Sequence, residues 1–388
     1  MMQLTLLRNA DVYAPQPLGH RDLLLGGGQV LAMEPRLPAI EGATVVDAGG
    51  RIVCPGFVDS LVHVSGGGGE GGFSTRTQAL TDPLEAFRAG TTTVIGALGT
   101  DDVTRSLADL LGAARALAEK GLSAYSLTGS YQVPVTTLTG SIRSDLVLIQ
   151  DMIGVGEIAI ADHRGSHPSA DELARIAAEA RVGGMLAGKR GLVLMHVGDA
   201  EEGLQILHAV TRRHPMPPSQ WHPTHINRHA GLLAQAAAWV ECGGSVDLTA
   251  STTPSLIAAG DIPAGRALAH LLDQGLPVAR ITMSSDGHAS LPHFDAAGEL
   301  LSIDVAPLDS LHAAVVEAVQ VHGVSLPNAL GTVTRTPAAL WGLREKGQVR
   351  VGAAADLLVL DPGTLAVVMT FAGGRAYRFG SETTTPAG

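Results

Sequence analysis

The sequence predicts an α/β protein: a (β/α)8 barrel of the TIM type, with a small β-sandwich built from both ends of the chain. Three observations lead there. Eight apolar, β-rich runs recur through the middle of the chain, amphipathic patterns separate them, and short alternating segments flank the whole on both sides. The length of 388 residues suits a barrel of about 250 residues plus an accessory domain.

In chain order, "LTLLRNADVY", "RDLLLGGGQVLAME" and "ATVVDAGGRIVCPG" alternate apolar and polar residues between turn signals and read as strands of a small sheet. "GQVRVGAAADLLVLDP" and "LAVVMTFAGGRAY" read the same way near the other end, and "SETTTPAG" closes the chain as a frayed tail. The domain division expected is therefore 1–55 plus 345–388 for the sandwich and 56–344 for the barrel. The eight barrel strands are "GFVDSLVHV", "TTTVIGALG", "LSAYSLTG", "GEIAIAD", "GLVLMHVG", "WHPTHIN", "GGSVDLTAS" and "RITMSSDG". Helical patterns such as "TRSLADLLGAARALAEKG", "SADELARIAAEARVGGMLAGKR", "AGLLAQAAAWVECGG" and "GRALAHLLDQG" lie between them, and "SLHAAVVEAVQVHG" follows the eighth. A doubly wound open sheet ranks below the barrel, because no Gly-x-Gly-x-x-Gly opens a helix after the first strand.

Composition narrows the function classes. Hydrophobic residues make up 45%, charged residues 16%, and glycine occurs 48 times, which suits a large core with tight loops. A net charge of −11 argues against a nucleic-acid or anionic-membrane surface. Cys54 and Cys242 are too few for a disulfide framework. No run of 18 apolar residues and no basic-then-apolar leader occurs, so the expectation is a cytoplasmic protein.

Barrel enzymes carry their chemistry at the C-terminal ends of the strands. Those ends read His63, Thr100, Tyr131, Glu157, His196, His225 and Asp286. One histidine at such a place is commonly a satisfied core or loop residue. Three histidines and two carboxylates on five strand ends form a donor set for Zn²⁺ or a similar divalent ion.

On "PGFVDSLVHVSGGGGEGG", "GALGTDD", "LTGSYQVP", "GEIAIADHRG", "MHVGDAEEGL", "PTHINR" and "SSDGHAS", the chain resembles the amidohydrolase superfamily. Within it, the resemblance is to the isoaspartyl (β-aspartyl) dipeptidases, over about residues 3 to 380. The resemblance implies metal-dependent hydrolysis of a β-aspartyl amide by a metal-activated hydroxide, a dipeptide substrate and a homo-oligomer. It implies His63, Glu157, His196, His225 and Asp286 as metal ligands, Asp286 also as general base and acid, and Tyr131 as oxyanion stabiliser. It also implies Glu70, with Thr100, for the substrate's amino group, and Arg164, Arg228 and Ser290 for its two carboxylates. Such a dipeptide carries one free ammonium and two carboxylates, so a pocket with one anion and two cations matches it, and arginine grips carboxylates with two parallel hydrogen bonds.

The sequence departs from that pattern twice. Many relatives bridge two metals with a carboxylated lysine, but the three lysines, Lys120, Lys189 and Lys346, end no strand, and Glu157 takes the place with a carboxylate of its own. The first barrel strand ends Leu61-Val62-His63 where the family has His-x-His. The cofactor expected is thus Zn²⁺, one ion held firmly by Glu157, His196 and His225, with a second site weak or vacant. His163, His222, His229 and His288 lie near strand ends, and by alternation His222 and His288 are the two candidates to turn inward, but none of the four is expected to supply the missing imidazole. Two other readings stand beside the dipeptidase: an amidohydrolase acting on another small amide, imide or N-acyl compound, and a non-catalytic relative.

Overall fold

A computed structural model describes residues 3–295 and 299–379; the "SETTTPAG" tail lies outside them. The N-terminal strands are β1 (Leu4–Tyr13), β2 (Pro17–Gly26), β3 (Gln29–Glu34), β4 (Ala43–Asp47) and β5 (Ile52–Pro55). The barrel strands are β6 (Phe57–Val62), β7 (Thr91–Gly96), β8 (Ser123–Thr128), β9 (Met152–Ile160), β10 (Leu192–Val197), β11 (Trp221–Thr224), β12 (Val246–Thr249) and β13 (Ile281–Ser284). A hairpin follows, β14 (Ser290–Phe294) and β15 (Leu300–Val305), and then β16 (Leu357–Leu360), β17 (Val367–Ala372) and β18 (Arg375–Arg378).

The two ends of the chain meet in one sheet of order β18-β17-β16-β5-β1-β2-β3, with β4 beside β1. The joint is β5, parallel to β1 and antiparallel to β16. Alternation splits its duties and those of β16. Val53, Leu357 and Val359 enter the core of the terminal sheet with Leu7, Val12 and Phe371. Ile52, Cys54, Leu358 and Leu360 pack instead into the large core of the barrel. We propose 1–55 with 345–388, and 56–344, as the two domains, a division that these separate cores support.

The barrel strands β6, β7, β9 and β10 are wholly buried, as parallel strands covered on both faces are. Strands β6 to β11 form one parallel sheet and β12 with β13 a second. Two seams join them. Ile226 N–H donates to Asp247 O at 3.2 Å, and His63 N–H donates to Gly287 O at 2.8 Å. A buried aspartate sits at each seam: Asp59 Oδ1 accepts from Ser285 N–H at 3.0 Å, and Asp247 accepts from the hydroxyls of Thr224, Thr282 and Ser284. Burial pushes these carboxyls up, to about 7 for Asp59 and about 6 for Asp247.

Helices cover the strands where the periodicity places them. The helix Ala170–Ala187 starts on a Ser169–Glu172 capping box and stops at Gly188, which adopts the left-handed conformation. The antiparallel β14–β15 hairpin is not foreseen in the sequence reading; a proline inside the first strand and an outer edge of exposed residues such as Leu301 and Val305 weaken its strand signal. Among the described residues, no helix is long and apolar enough to cross a membrane.

Candidate active site

Strand ends bring the expected donors to one point. His63 directly follows β6, His225 directly follows β11, and His196 is the penultimate residue of β10. Glu157 differs from the expectation: it lies inside β9, ahead of Ile158, and not at the strand's end. The ladder to β10 slips between Val193 and Met195, and the extra β9 residue forms a bulge that turns Glu157 into the barrel mouth. Two donors sit on left-handed backbone, His225 at φ 63° and Asp286 at φ 55°. Such conformations are costly for non-glycine residues and concentrate where function demands them.

Glu157 is the hub. Its Oε1 lies 2.8 Å from His196 Nδ1 and 3.0 Å from His225 Nε2. Its Oε2 lies 3.7 Å from His63 Nε2, which is 3.2 Å from Asp286 Oδ1. Burial, and then the charge of Asp286, push the Glu157 carboxyl well above the usual range. Burial lowers His196 to about 3 and holds His225 well below its ordinary value. Both rings are thus neutral at physiological pH, with lone pairs available as ligands.

These residues fit a divalent cation. Ligand atoms of Glu157, His196 and His225 all lie within 4.8 Å of one another. Glu157 Oε2, His63 Nδ1 and Asp286 Oδ1 are buried without a hydrogen-bond partner among the described residues. The far ring nitrogens are held from behind, as metal-ligating histidines require. Thr249 Oγ1 lies 2.5 Å from His225 Nδ1, and Asp162 Oδ2 lies 2.9 Å from His196 Nε2. Burial opposes the charge on Asp162, yet hydrogen bonds from His196 and Arg164 hold its carboxyl far below the usual range.

The polar residues around this centre separate into two groups. Tyr131 Oη is 2.7 Å from His196 Nδ1, and burial raises its pKa well above 10, so it keeps its proton. Glu70 Oε1 accepts from Thr100 Oγ1 at 3.2 Å and Ser290 Oγ at 3.0 Å, with Arg164 Nη1 at 3.5 Å. Glu70 Oε2 is buried and has no hydrogen-bond partner among the described residues. The Arg164 fork is partly engaged: Nε and Nη2 grip Asp162 at 3.0 and 2.7 Å. Arg228 is freer, with Nη2 3.3 Å from His196 Nε2 and Nε buried without a hydrogen-bond partner among the described residues. A cavity of about 530 Å³ exposes His63, Tyr131, His196, His225, Arg228 and Asp286. A smaller one of about 320 Å³ adjoins it through Gly68 and Thr100 and is lined by Glu70.

Leu61 is fully buried among Val58, Ile95, Leu127, Leu194 and Trp341, in an apolar layer beneath the site. His222, His229 and His288 do not replace the missing imidazole. His288 faces Glu85 and Gln78 O, and His229 Nδ1 accepts from Leu232 N–H at a helix start. His222 is a core histidine with Ser245 Oγ at 2.9 Å and Thr282 Oγ1 at 3.0 Å. Burial lowers its pKa to about 3, against about 6.5 in an unfolded chain. Between those values the unfolded chain binds a proton that the folded one refuses, so stability falls as pH drops from about 6.5 toward 3. His222→Gln is expected to flatten that loss in urea-midpoint measurements across this window; an unchanged acid limb would count against it.

Two residues of the site are absent from the sequence expectations. Asp162 is visible as the carboxylate beside Arg164 in "DHR". Thr249 carries no signal, because its contact with His225 depends on which neighbour the fold supplies.

Residues 52–377 match the Amidohydrolase family. The structure of the β-aspartyl dipeptidase from Fervidobacterium islandicum AW-1, in complex with β-Asp-Leu dipeptide, superposes with a TM-score of 0.89. It is 36% identical, with 97% of this chain and 96% of that chain covered. Among curated sequences, the dihydroorotase of Bacillus cytotoxicus is 26% identical over 88% of this chain and 84% of its own length. The dihydroorotase of Staphylococcus aureus is 30% identical over 105 residues, 22% of this chain, so the match spans only 25% of that relative. The chain belongs to the amidohydrolase family. Within that family it groups with the β-aspartyl dipeptidases, and it is a hydrolytic enzyme.

Proposed function

We propose that this enzyme hydrolyses the β-aspartyl amide bond of dipeptides. One observation carries the reading: Glu70, a buried carboxylate with Oε2 unpartnered among the described residues, stands 3.5 Å from Arg164 Nη1, and Arg228 reaches the metal-ligand cluster at His196, 3.3 Å from its Nε2. That is one anion and two cations for a substrate with one ammonium and two carboxylates. Glu157, His196 and His225 would hold a divalent ion, which when bound would supply the Lewis acidity that lowers the pKa of water and polarises a carbonyl. The chain's own residues do the rest. Asp286, with Oδ1 facing His63 and no hydrogen-bond partner among the described residues, accepts the proton of the attacking water and returns it to the leaving amine. Tyr131, kept protonated by burial, donates to the developing oxyanion. Glu70 and the arginines hold the substrate in register for attack.

The metal in this reading is zinc, with one firmly held ion per chain. The unpaired Cys54 and Cys242 support a reducing, cytoplasmic setting. A homo-oligomer rests on kinship and is read by light scattering. The dihydroorotase kinship favours a second reading, hydrolysis of a cyclic amide. Metal analysis combined with assays on β-Asp-Leu, α-Asp-Leu and dihydroorotate separates the two. Close to one metal per chain with turnover of β-Asp-Leu alone is expected; turnover of dihydroorotate alone, or no metal and no turnover, overturns the proposal.

Leu61 sets the stoichiometry. Leu61→His puts an imidazole on the strand beneath His63, where His63, Glu157 and Asp286 already converge. Metal content is expected to rise from near one toward two per chain by plasma mass spectrometry. Unaltered content would show that Leu61 does not occupy the missing ligand position.

A further inference from the structure

The glycine run after β6 is a packed structure. Gly66, Gly68 and Gly69 have φ of +79°, +76° and +111°. A Cβ on Gly66 would stand 2.6 Å from Thr77 O and 3.0 Å from Arg105 Nη1, and one on Gly68 would stand 2.6 Å from Thr75 O. Only glycine lets backbone and guanidinium lie this close. Arg105 is 6% exposed and precedes the helix Leu107–Glu119. Its guanidinium donates to three carbonyls of the same loop, those of Ser65, Gly67 at 2.8 Å and Thr77 at 3.0 Å. Thr77 Oγ1 adds a second fastening. It accepts from Gly67 N–H at 2.6 Å and donates to His288 O at 2.5 Å, which ties the loop to the turn that leads into Ser290 at the start of β14.

Burying a cation against neutral carbonyls is expensive, and an apolar side chain would fill the same space at lower cost. What the arginine adds is geometric: one planar group fixes three points of one loop. Glu70 belongs to that loop. Its other neighbours, Thr100 and Ser290, come from the segment that also bears Arg105 and from the turn that Thr77 holds.

We propose that Arg105 is a positioning residue: by clamping the loop from Ser65 to Thr77, it presents Glu70 to the ammonium group of the substrate. This rests on the dipeptidase reading, and the experiment keeps the two apart. Full-length wild type, Arg105→Met and Arg105→Lys are compared by hydrogen exchange of residues 65–77 and by kinetics on β-Asp-Leu. N-succinyl-leucine, which lacks only the ammonium group, serves as a competitive inhibitor.

Arg105→Met is expected to raise loop exchange and KM each by about tenfold. The expected kcat stays within about threefold, and the Ki of N-succinyl-leucine is unmoved, because only positioning of Glu70 is lost. Arg105→Lys, whose single ammonium reaches fewer carbonyls, is expected to fall between. Unchanged loop exchange, or KM, kcat and Ki deteriorating together, overturns the proposal. If Arg105→Met does not fold, the same criteria apply to Arg105→Lys. If wild type leaves β-Asp-Leu intact, the dipeptidase reading fails, and the exchange comparison alone decides the clamp.

Discussion

Replacing Glu157 by glutamine is expected to leave a folded protein with less than about a tenth of the wild-type metal, and activity lower by on the order of 10³-fold or more. The argument is electrostatic. Glu157 Oε1 is the shared neighbour of His196 Nδ1 and His225 Nε2, at 2.8 and 3.0 Å. Two neutral imidazoles alone make a weak, uncharged site. The carboxylate supplies the negative charge that offsets a dication's desolvation. Its pKa, raised by burial and by Asp286, means that without a cation it tends to take up a proton. Glutamine keeps the volume but replaces one oxygen with an N–H₂ group, which repels an ion and competes for the imidazole lone pairs. Because the charged form is disfavoured by burial, the folded apoprotein should lose little stability. Metal content by mass spectrometry and thermal midpoint with and without zinc check both halves. Wild-type metal content in Glu157→Gln would remove Glu157 from the ligand set.

The barrel was legible because each strand is an apolar run that a helical pattern separates from the next, and that arrangement survives any detail of packing. The join of the two termini was legible because both ends carry short strand patterns between turn signals; that β5 and β16 give one face to each core emerged only from the structure. The convergence of His63, His196, His225 and Asp286 was legible because topology gathers the ends of barrel strands at one mouth. What escaped depended on local departures from regularity. The bulge that seats Glu157 inside β9 comes from a one-residue slip against β10, which no period reveals. The engagement of Arg164 by Asp162 was hidden for another reason: an arginine beside a carboxylate in sequence reads equally as a substrate clamp or as a local ion pair. The structure makes it partly the second, leaving Nη1 toward Glu70. Arg105 was invisible because its partners are backbone carbonyls, which every residue has.

Asp286→Asn is expected to lower kcat by about 10³-fold while KM stays within about threefold and the ion at Glu157, His196 and His225 is retained. The choice of asparagine is what makes the result interpretable. Asp286 occupies left-handed backbone at φ 55°, and asparagine tolerates that conformation where alanine or leucine would strain it. The amide also keeps one oxygen for the contact with His63 Nε2, at 3.2 Å from Asp286 Oδ1. What it cannot do is take a proton from water and deliver it to a leaving amine. A loss confined to kcat therefore assigns Asp286 the proton transfer. If metal content falls in step with activity, Asp286 acts chiefly as a ligand. Solvent isotope effects on the residual rate distinguish the cases further. With the acid–base group gone, proton transfer becomes the slow step and the effect on kcat should grow; with only a ligand gone, it should stay at the wild-type value.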